Sequence, residues 1–295
     1  MRDPDGISRT RHPIVPLAAS GTDFELMTVA SILGLNSLHY SYCPRRNCRL
    51  KSIDDIRKSQ ARYTKTLMDW IPRDARRILD VGCGVGDVAR SLARRGRKVT
   101  ALSPDPEHAP HFARLRRGIR FVRGRFEEFR SRDRYDLILM CESNNYFDPA
   151  KGLDITRRLL RPGGYLLISG IFKTRDVPRI NTDMCFERDY RRAARARGFV
   201  LIRRQDITRH VLPMLDIGLD LVRRYGIPVS QLIARFLIQS SGLARVAARL
   251  LRVDPVRTID RVAAFYLRRM DSTFFERNHA YVRCLYRLDG KPRES

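Results

Sequence analysis

Residues 78–86 read Ile-Leu-Asp-Val-Gly-Cys-Gly-Val-Gly. An apolar run that reaches Asp80 and then meets glycines at 82, 84 and 86 describes a strand turning sharply into a helix. Glycine suits that turn because the chain bends tightly and a ligand can approach main chain that carries no Cβ. Cys83 lies inside the turn. The amides that open the next helix can meet a carboxylate. A dinucleotide fingerprint would put its third glycine at position 87, which is Asp87. Ligands of open α/β sheets sit beyond the carboxyl ends of the strands. That rule selects Ser103 with Asp105, then Arg125 and Phe126, then Cys141 and Glu142. Side chains able to move a proton fall in three places. They are Glu142, Asn145 and Tyr146 in the stretch ESNNYF, His39 and Tyr40 in an N-terminal loop, and Asp206 and His210 further on. Each also has a plain structural reading: Tyr146 as pocket wall, His210 as a surface histidine, Asp206 as a helix cap.

The elements that must position these residues follow from periodicity. Residues 23–35 read as a short helix, and 52–69 as an amphipathic one with an acidic start at Asp54 and Asp55. From residue 76 strand-like runs alternate with helical ones: strands around RRILDVG, KVTALS, IRFVRG, YDLILMCE and GGYLLISG, helices at 86–95, near 107–116 and at 150–160. Such alternation predicts a doubly wound, mostly parallel α/β sheet covered on both faces. An arginine-rich helix over 186–198 precedes strand six (FVLIRRQDIT), and strand seven (280–288) closes the sheet at seven strands. The expected organisation is a disordered arm over 1–20, a helical cap over 21–70, a core over 71–208 and 280–289, and a helical insertion over 209–279. A 70-residue excursion between two paired strands must fold back to bury its leucines, which makes it a candidate lid.

The h-D-h-G-x-G-x-G form of residues 78–86, with ESNNYF and LLRPGGYLLIS downstream, resembles the class I S-adenosylmethionine-dependent methyltransferases, in particular their type-11, small-molecule group. The resemblance covers roughly residues 60–208. It implies a Rossmann-like core, S-adenosylmethionine as cofactor, and a methyl acceptor that is a small molecule. It implies cofactor contacts from Asp80, Gly82, Cys83, Gly84, Gly86, Ser103, Arg125, Phe126, Cys141 and Glu142. The family's usual acidic residue after strand two stands here as Ser103, and its usual Asp after strand three as Arg125. The loop SLHYSY resembles the segment that closes over the cofactor in methyltransferases of tocopherols and sterols. His39, Tyr146 and His210 are the candidates for catalysis. No metal is expected.

The formal net charge is +26, and only seven of the 58 basic residues are lysine. The arginines are spread along the chain, which fits compositional drift as well as a polyanionic partner. Nucleic acid is not expected as a partner, because no Asn/Asp-Pro-Pro-aromatic turn follows strand four and no RNA-binding module is evident. An RNA methyltransferase and a non-catalytic cofactor-fold protein stand as the alternatives. Within the insertion, 231–252 sets Leu232, Phe236, Leu243, Val246 and Leu250 near one helical face with arginines elsewhere. That pattern suits a lid packed on the domain or a peripheral contact with an anionic membrane. Either way it favours a hydrophobic or lipid-like acceptor, methylated on oxygen or carbon. No apolar run reaches the roughly 18 residues of a membrane span, and Met1–Arg11 has no signal-peptide pattern. The six cysteines show no Cys-x-x-Cys spacing, and Cys43 and Cys48 lack zinc-spaced partners. Thiols at Cys83 and Cys141 suit a reducing, cytoplasmic setting. Oligomeric state is left open.

Overall fold

The computed structural model describes residues 33–44, 48–113, 118–178, 180–242 and 254–289. The expected arm over 1–20 and nearly all of the helix over 23–35 lie outside them.

Helix α1 (Ile53–Met68) starts where Ser52 and Asp55 form a reciprocal capping box. It buries Ile56, Tyr63 and Leu67 at helical spacing. The sheet then begins. Its strands are β1 (Arg77–Val81), β2 (Lys98–Ser103), β3 (Ile119–Arg123), β4 (Tyr135–Cys141), β5 (Leu160–Lys173), β6 (Phe199–Asp206) and β7 (His279–Leu288). They lie in the order β3-β2-β1-β4-β5-β7-β6. β1 to β5 pair in parallel, and β7 runs antiparallel between β5 and β6.

Alternation along each strand sends side chains to two cores. Ile78, Leu137 and Leu139 join α1, α2 (Asp87–Arg94) and the insertion on one face. Leu79, Val81, Ile138 and Met140 join α3 (Pro149–Leu159) and α4 (Glu187–Ala196) on the other. Burial on both faces explains why β4 is apolar almost throughout. Where a helix is expected near 107–116, a 3-10 turn spans Pro106–His111, and residues 114–116 lie outside the described residues. Pro110, inside that turn, lacks the N–H that an α-helix would need there.

The insertion forms α5 (Thr208–Leu221), a π turn (Val222–Gly226), α6 (Ile227–Ser240), α7 (Pro255–Arg269) and α8 (Ser272–Asn278). α5, the π turn and α6 run on without a break, as one rod. Its inner half buries Val211 and Leu215 in the core, whereas α6 buries none of its residues. Cys43 and Cys48, which the sequence leaves without partners, form a disulfide; Cys83, Cys141, Cys185 and Cys284 are thiols.

Candidate active site

The carboxyl ends of β1 to β4 surround a cavity of about 260 Å³, near the low end of the ~300–1,000 Å³ usual for small-molecule sites. The turn after β1 forms its floor. Gly82 and Gly84 have φ of +72° and +51°, values that favour glycine. A Cβ on Gly82 would fall 2.5 Å from the Ser143 Cβ, whereas one on Gly84 would face only Leu38 at 3.4 Å. Packing thus demands the first glycine, and backbone conformation the second. Gly86 lies outside the cavity lining and is the residue before α2, with φ of +82°.

Asp80, next to last in β1, lies in the cavity, 1% exposed, with Oδ2 lacking a hydrogen-bond partner. Burial, reinforced by the nearby Asp87 carboxylate, pushes its pKa up to about 7. A buried carboxylate oxygen without a partner is costly, and a cation entering the cavity relieves that cost. Glycine floor, helix N-terminus and orphaned carboxylate together fit the amino-acid end of S-adenosylmethionine.

A strap formed by residues 37–43 crosses this end of the sheet. Leu38 and His39 line the cavity. Gln60 of α1 donates from Nε2 to the carbonyls of Ser37 and His39 at 3.1 and 2.8 Å. His39 Nε2 lies 2.8 Å from Asp87 Oδ2, which also accepts from Ser37 Oγ at 2.8 Å and Thr64 Oγ1 at 3.0 Å. His39 Nδ1 lies 2.7 Å from the Tyr40 carbonyl. Both ring nitrogens face acceptors, so both carry a proton and the ring is an imidazolium. Burial opposes that charge, yet Asp87 outweighs it and lifts the His39 pKa to about 8. Burial likewise pushes Asp87 up, but the His39 charge and three side-chain hydrogen bonds hold it at about 2. His39 is therefore a clamp in this arrangement, with no nitrogen free to take a proton from an acceptor.

Glu142 follows β4 with φ of +62°, the one non-glycine residue at positive φ among the described residues. Backbone in that region costs about 1–3 kcal/mol. The turn is fixed by its N–H, which donates to the Ser169 carbonyl at 2.8 Å. Glu142 Oε1 accepts from the Tyr40 N–H at 2.8 Å and the Tyr281 hydroxyl at 2.7 Å. Burial raises the pKa of its carboxyl, against the lowering effect of His39 and these hydrogen bonds. Tyr281 meets the Tyr63 hydroxyl at 2.7 Å, Tyr63 meets Ser169 Oγ at 2.7 Å, and Arg283 Nε donates to Ser169 Oγ at 3.2 Å. Guanidinium only donates and carboxylate only accepts. Each hydroxyl has one hydrogen, so the whole row points from Arg283 through Ser169, Tyr63 and Tyr281 to Glu142. Arg283 is 1% exposed and has no carboxylate within salt-bridge distance among the described residues. Its charge reaches Glu142 through three hydroxyls.

The other expected site residues divide. Cys83, Ser103, Arg125, Phe126, Cys141 and Tyr146 line the cavity. Ser103 Oγ is occupied by His108 Nδ1 at 2.8 Å and the Asp105 N–H at 3.2 Å, and Asp105 Oδ1 accepts from Glu107 N–H at 2.9 Å. Ser103 and Asp105 thus both bond within that turn. Tyr146 stands at the rim, 71% exposed, and Asn145 ties its loop to the Ile171 carbonyl at 2.8 Å. Asp206 Oδ1 accepts from the Thr208 N–H at 2.9 Å at the start of α5. His210, offered by the sequence for catalysis, is outside the cavity lining. Its Nδ1 donates to the Cys43 carbonyl at 2.6 Å and its ring stacks on Tyr42 at 4.5 Å, so it fastens the strap to α5. Sequence reasoning missed Asp87 as an ion-pair partner, although the first position of a helix after a glycine turn is a natural place for a carboxylate. Nothing local marked Tyr281 or Arg283.

Comparison with known proteins bears on the same region. Residues 79–168 match the family model described as "Methyltransferase domain". An uncharacterized methyltransferase of Mycobacterium tuberculosis H37Rv is 32% identical over 140 residues, covering 45% of this chain and 56% of that protein. The chain thus spans about half the length of the first curated relatives it matches. A fatty-acid O-methyltransferase of Mycolicibacterium smegmatis is 27% identical over 224 residues, covering 73% of this chain and 78% of that one. Among solved structures, geranyl diphosphate C-methyltransferase from Streptomyces coelicolor shares the fold at a TM-score of 0.65 and 16% identity, covering 94% of this chain and all (100%) of its own. With its β3-β2-β1-β4-β5-β7-β6 sheet and the glycine turn after β1, the chain carries a methyltransferase domain of the class I, S-adenosylmethionine-dependent family.

Proposed function

We propose that the protein transfers the methyl group of S-adenosylmethionine to an oxygen of a hydrophobic, lipid-like acceptor, with Glu142 taking the proton. The observation that carries this reading is the one-way hydrogen-bond row from Arg283 to Glu142 at the cavity wall. The cofactor supplies an electrophilic methyl on a positive sulfur; the chain supplies position, dryness and a proton acceptor. Asp80 and the amides after Gly82 would hold the cofactor's amino-acid end. The strap, clamped by His39 and Asp87, excludes water from the cavity. Burial makes the Glu142 carboxyl more basic, while His39, the Tyr40 N–H and the Tyr281 hydroxyl favour its carboxylate form. It can take the proton from an acceptor hydroxyl as the oxygen lone pair forms the new C–O bond and the S–CH3 bond breaks, its electron pair staying on the sulfur of the departing neutral thioether. The proton then leaves Glu142 for solvent.

The lipid-like character of the acceptor is supported by the fatty-acid O-methyltransferase relative and by the apolar insertion beside the strap. A lipid-like acceptor is delivered from a bilayer, so peripheral contact with a membrane belongs to the same reading.

The test is transfer of labelled methyl from S-adenosylmethionine to a panel containing a long-chain alcohol, a long-chain alkyl phenol, a fatty acid and a polar catechol. Label is expected in the organic extract. Glu142→Gln should keep cofactor affinity within a few-fold and lower turnover of the hydroxyl acceptors about 10²–10⁴-fold. Label appearing only in the polar acceptor, or unchanged turnover in Glu142→Gln, would overturn the proposal.

A further inference from the structure

The outer half of the insertion is apolar on the wrong side for a buried helix. Tyr225, Val229, Leu232, Ile233, Phe236 and Leu237 are 63%, 51%, 67%, 53%, 66% and 55% exposed. At 3.6 residues per turn Val229, Leu232, Ile233, Phe236 and Leu237 share one face of α6, and Tyr225 precedes them in the π turn. The opposite face is turned to α7, where Gln231 Nε2 donates to Asp260 Oδ1 at 2.7 Å. The stripe is therefore outside the helix's own packing contact. Arg223 in the preceding π turn and Arg235 in α6 are both exposed, and neither has a salt bridge to a described residue. No Asp or Glu occurs from Val222 to Ser240.

Charge decides between the possible occupants. A second copy docking through the same stripe would bring together two segments that carry arginines and no carboxylate, in a chain of net charge +26. An anionic bilayer instead accepts the apolar stripe among its acyl chains while phosphate groups meet the exposed guanidinium groups of the same segment. We propose that α6, together with Tyr225, is a docking surface for an anionic lipid bilayer, with the helix lying in the interface. No helix among the described residues is long and apolar enough to cross a membrane, so the contact is peripheral. The first turn of the same rod carries His210, which holds the strap at Cys43. A helix seated on lipid is thereby joined to the segment that lines the cavity. This extends the lipid-acceptor reading, and its vesicle-binding readout needs neither acceptor nor turnover, so the two can fail separately.

The full chain is sedimented at low salt with phosphatidylcholine vesicles, with and without phosphatidylglycerol. Binding to the anionic vesicles is expected to exceed binding to the neutral ones by about tenfold or more, given several arginines at the surface. The double variant Leu232→Ser/Phe236→Ser keeps every charge. It should lose about tenfold or more of that binding while binding S-adenosylmethionine as the parent does. Arg223→Gln/Arg235→Gln should abolish most of the preference for anionic vesicles. Undiminished pelleting of the serine variant would mean adsorption by bulk charge alone and would overturn the proposal. So would absence of the parent from both pellets. A concentration-dependent dimer that the serine substitutions dissolve, without vesicle binding, would assign the stripe to a second copy.

Discussion

Neutralising His39 should loosen the strap, and the size of the effect follows from its surroundings. The ring has two acceptors, Asp87 and the Tyr40 carbonyl, and its pKa is lifted from 6.5 to about 8. One pKa unit corresponds to about 1.4 kcal/mol, so the interaction is worth about 2 kcal/mol. Asp87, held at about 2, reports the same ion pair from its other end and is counted once. The sign follows from linkage. A folded pKa above the unfolded value means the stabilisation is complete below about 6.5 and is lost as pH rises through about 8. His39→Gln retains a donor and removes the charge. Urea unfolding at pH 6 should find the variant about 2 kcal/mol less stable than the parent. By pH 9 that difference should shrink toward zero, because the parent has also lost its charge. A stability difference that stays constant from pH 6 to pH 9 would refute the imidazolium assignment and leave His39 as an ordinary neutral packing residue.

Three further outcomes are expected. Affinity for S-adenosylmethionine, followed by calorimetry, should rise with pH as Asp80 ionises near 7, and Asp80→Asn should bind more weakly by about tenfold or more, without that rise. Gly84→Val places a β-branched residue at φ of +51°, which should abolish cofactor binding while a Gly96→Ala control, where a Cβ meets open space, binds as the parent does. Tyr281→Phe cuts the donor row next to Glu142; the acidic limb of the kcat/KM profile should move to higher pH, whereas a purely structural loss would lower the whole profile without moving it.

What the sequence by itself determined is local. Hydrophobic alternation, the glycine turn at 82–86 and the rule that ligands gather at strand ends were enough to set out the seven strands, the cofactor end of the sheet and most of the cavity wall. Those signals are short-range: a strand shows in a period of two, and a positive φ shows in a glycine. The roles of individual side chains were settled at long range. His39 meets Asp87 48 positions away, Glu142 meets Tyr281 139 positions away, and Arg283 reaches Ser169 across 114. These contacts exist because β7 is inserted between β5 and β6 and because the strap returns over the first turn of α2. No periodicity in the strap or in β7 encodes that placement. The same distance accounts for His210: its sequence neighbours offer it as an acid–base group, and only the packing of α5 against Tyr42 makes it a fastener. The insertion is the converse case. Its amphipathic pattern was legible, but whether α6 would hide its leucines or present them was decided by tertiary structure, because the face that meets α7 and the face that meets solvent are both apolar enough to be core.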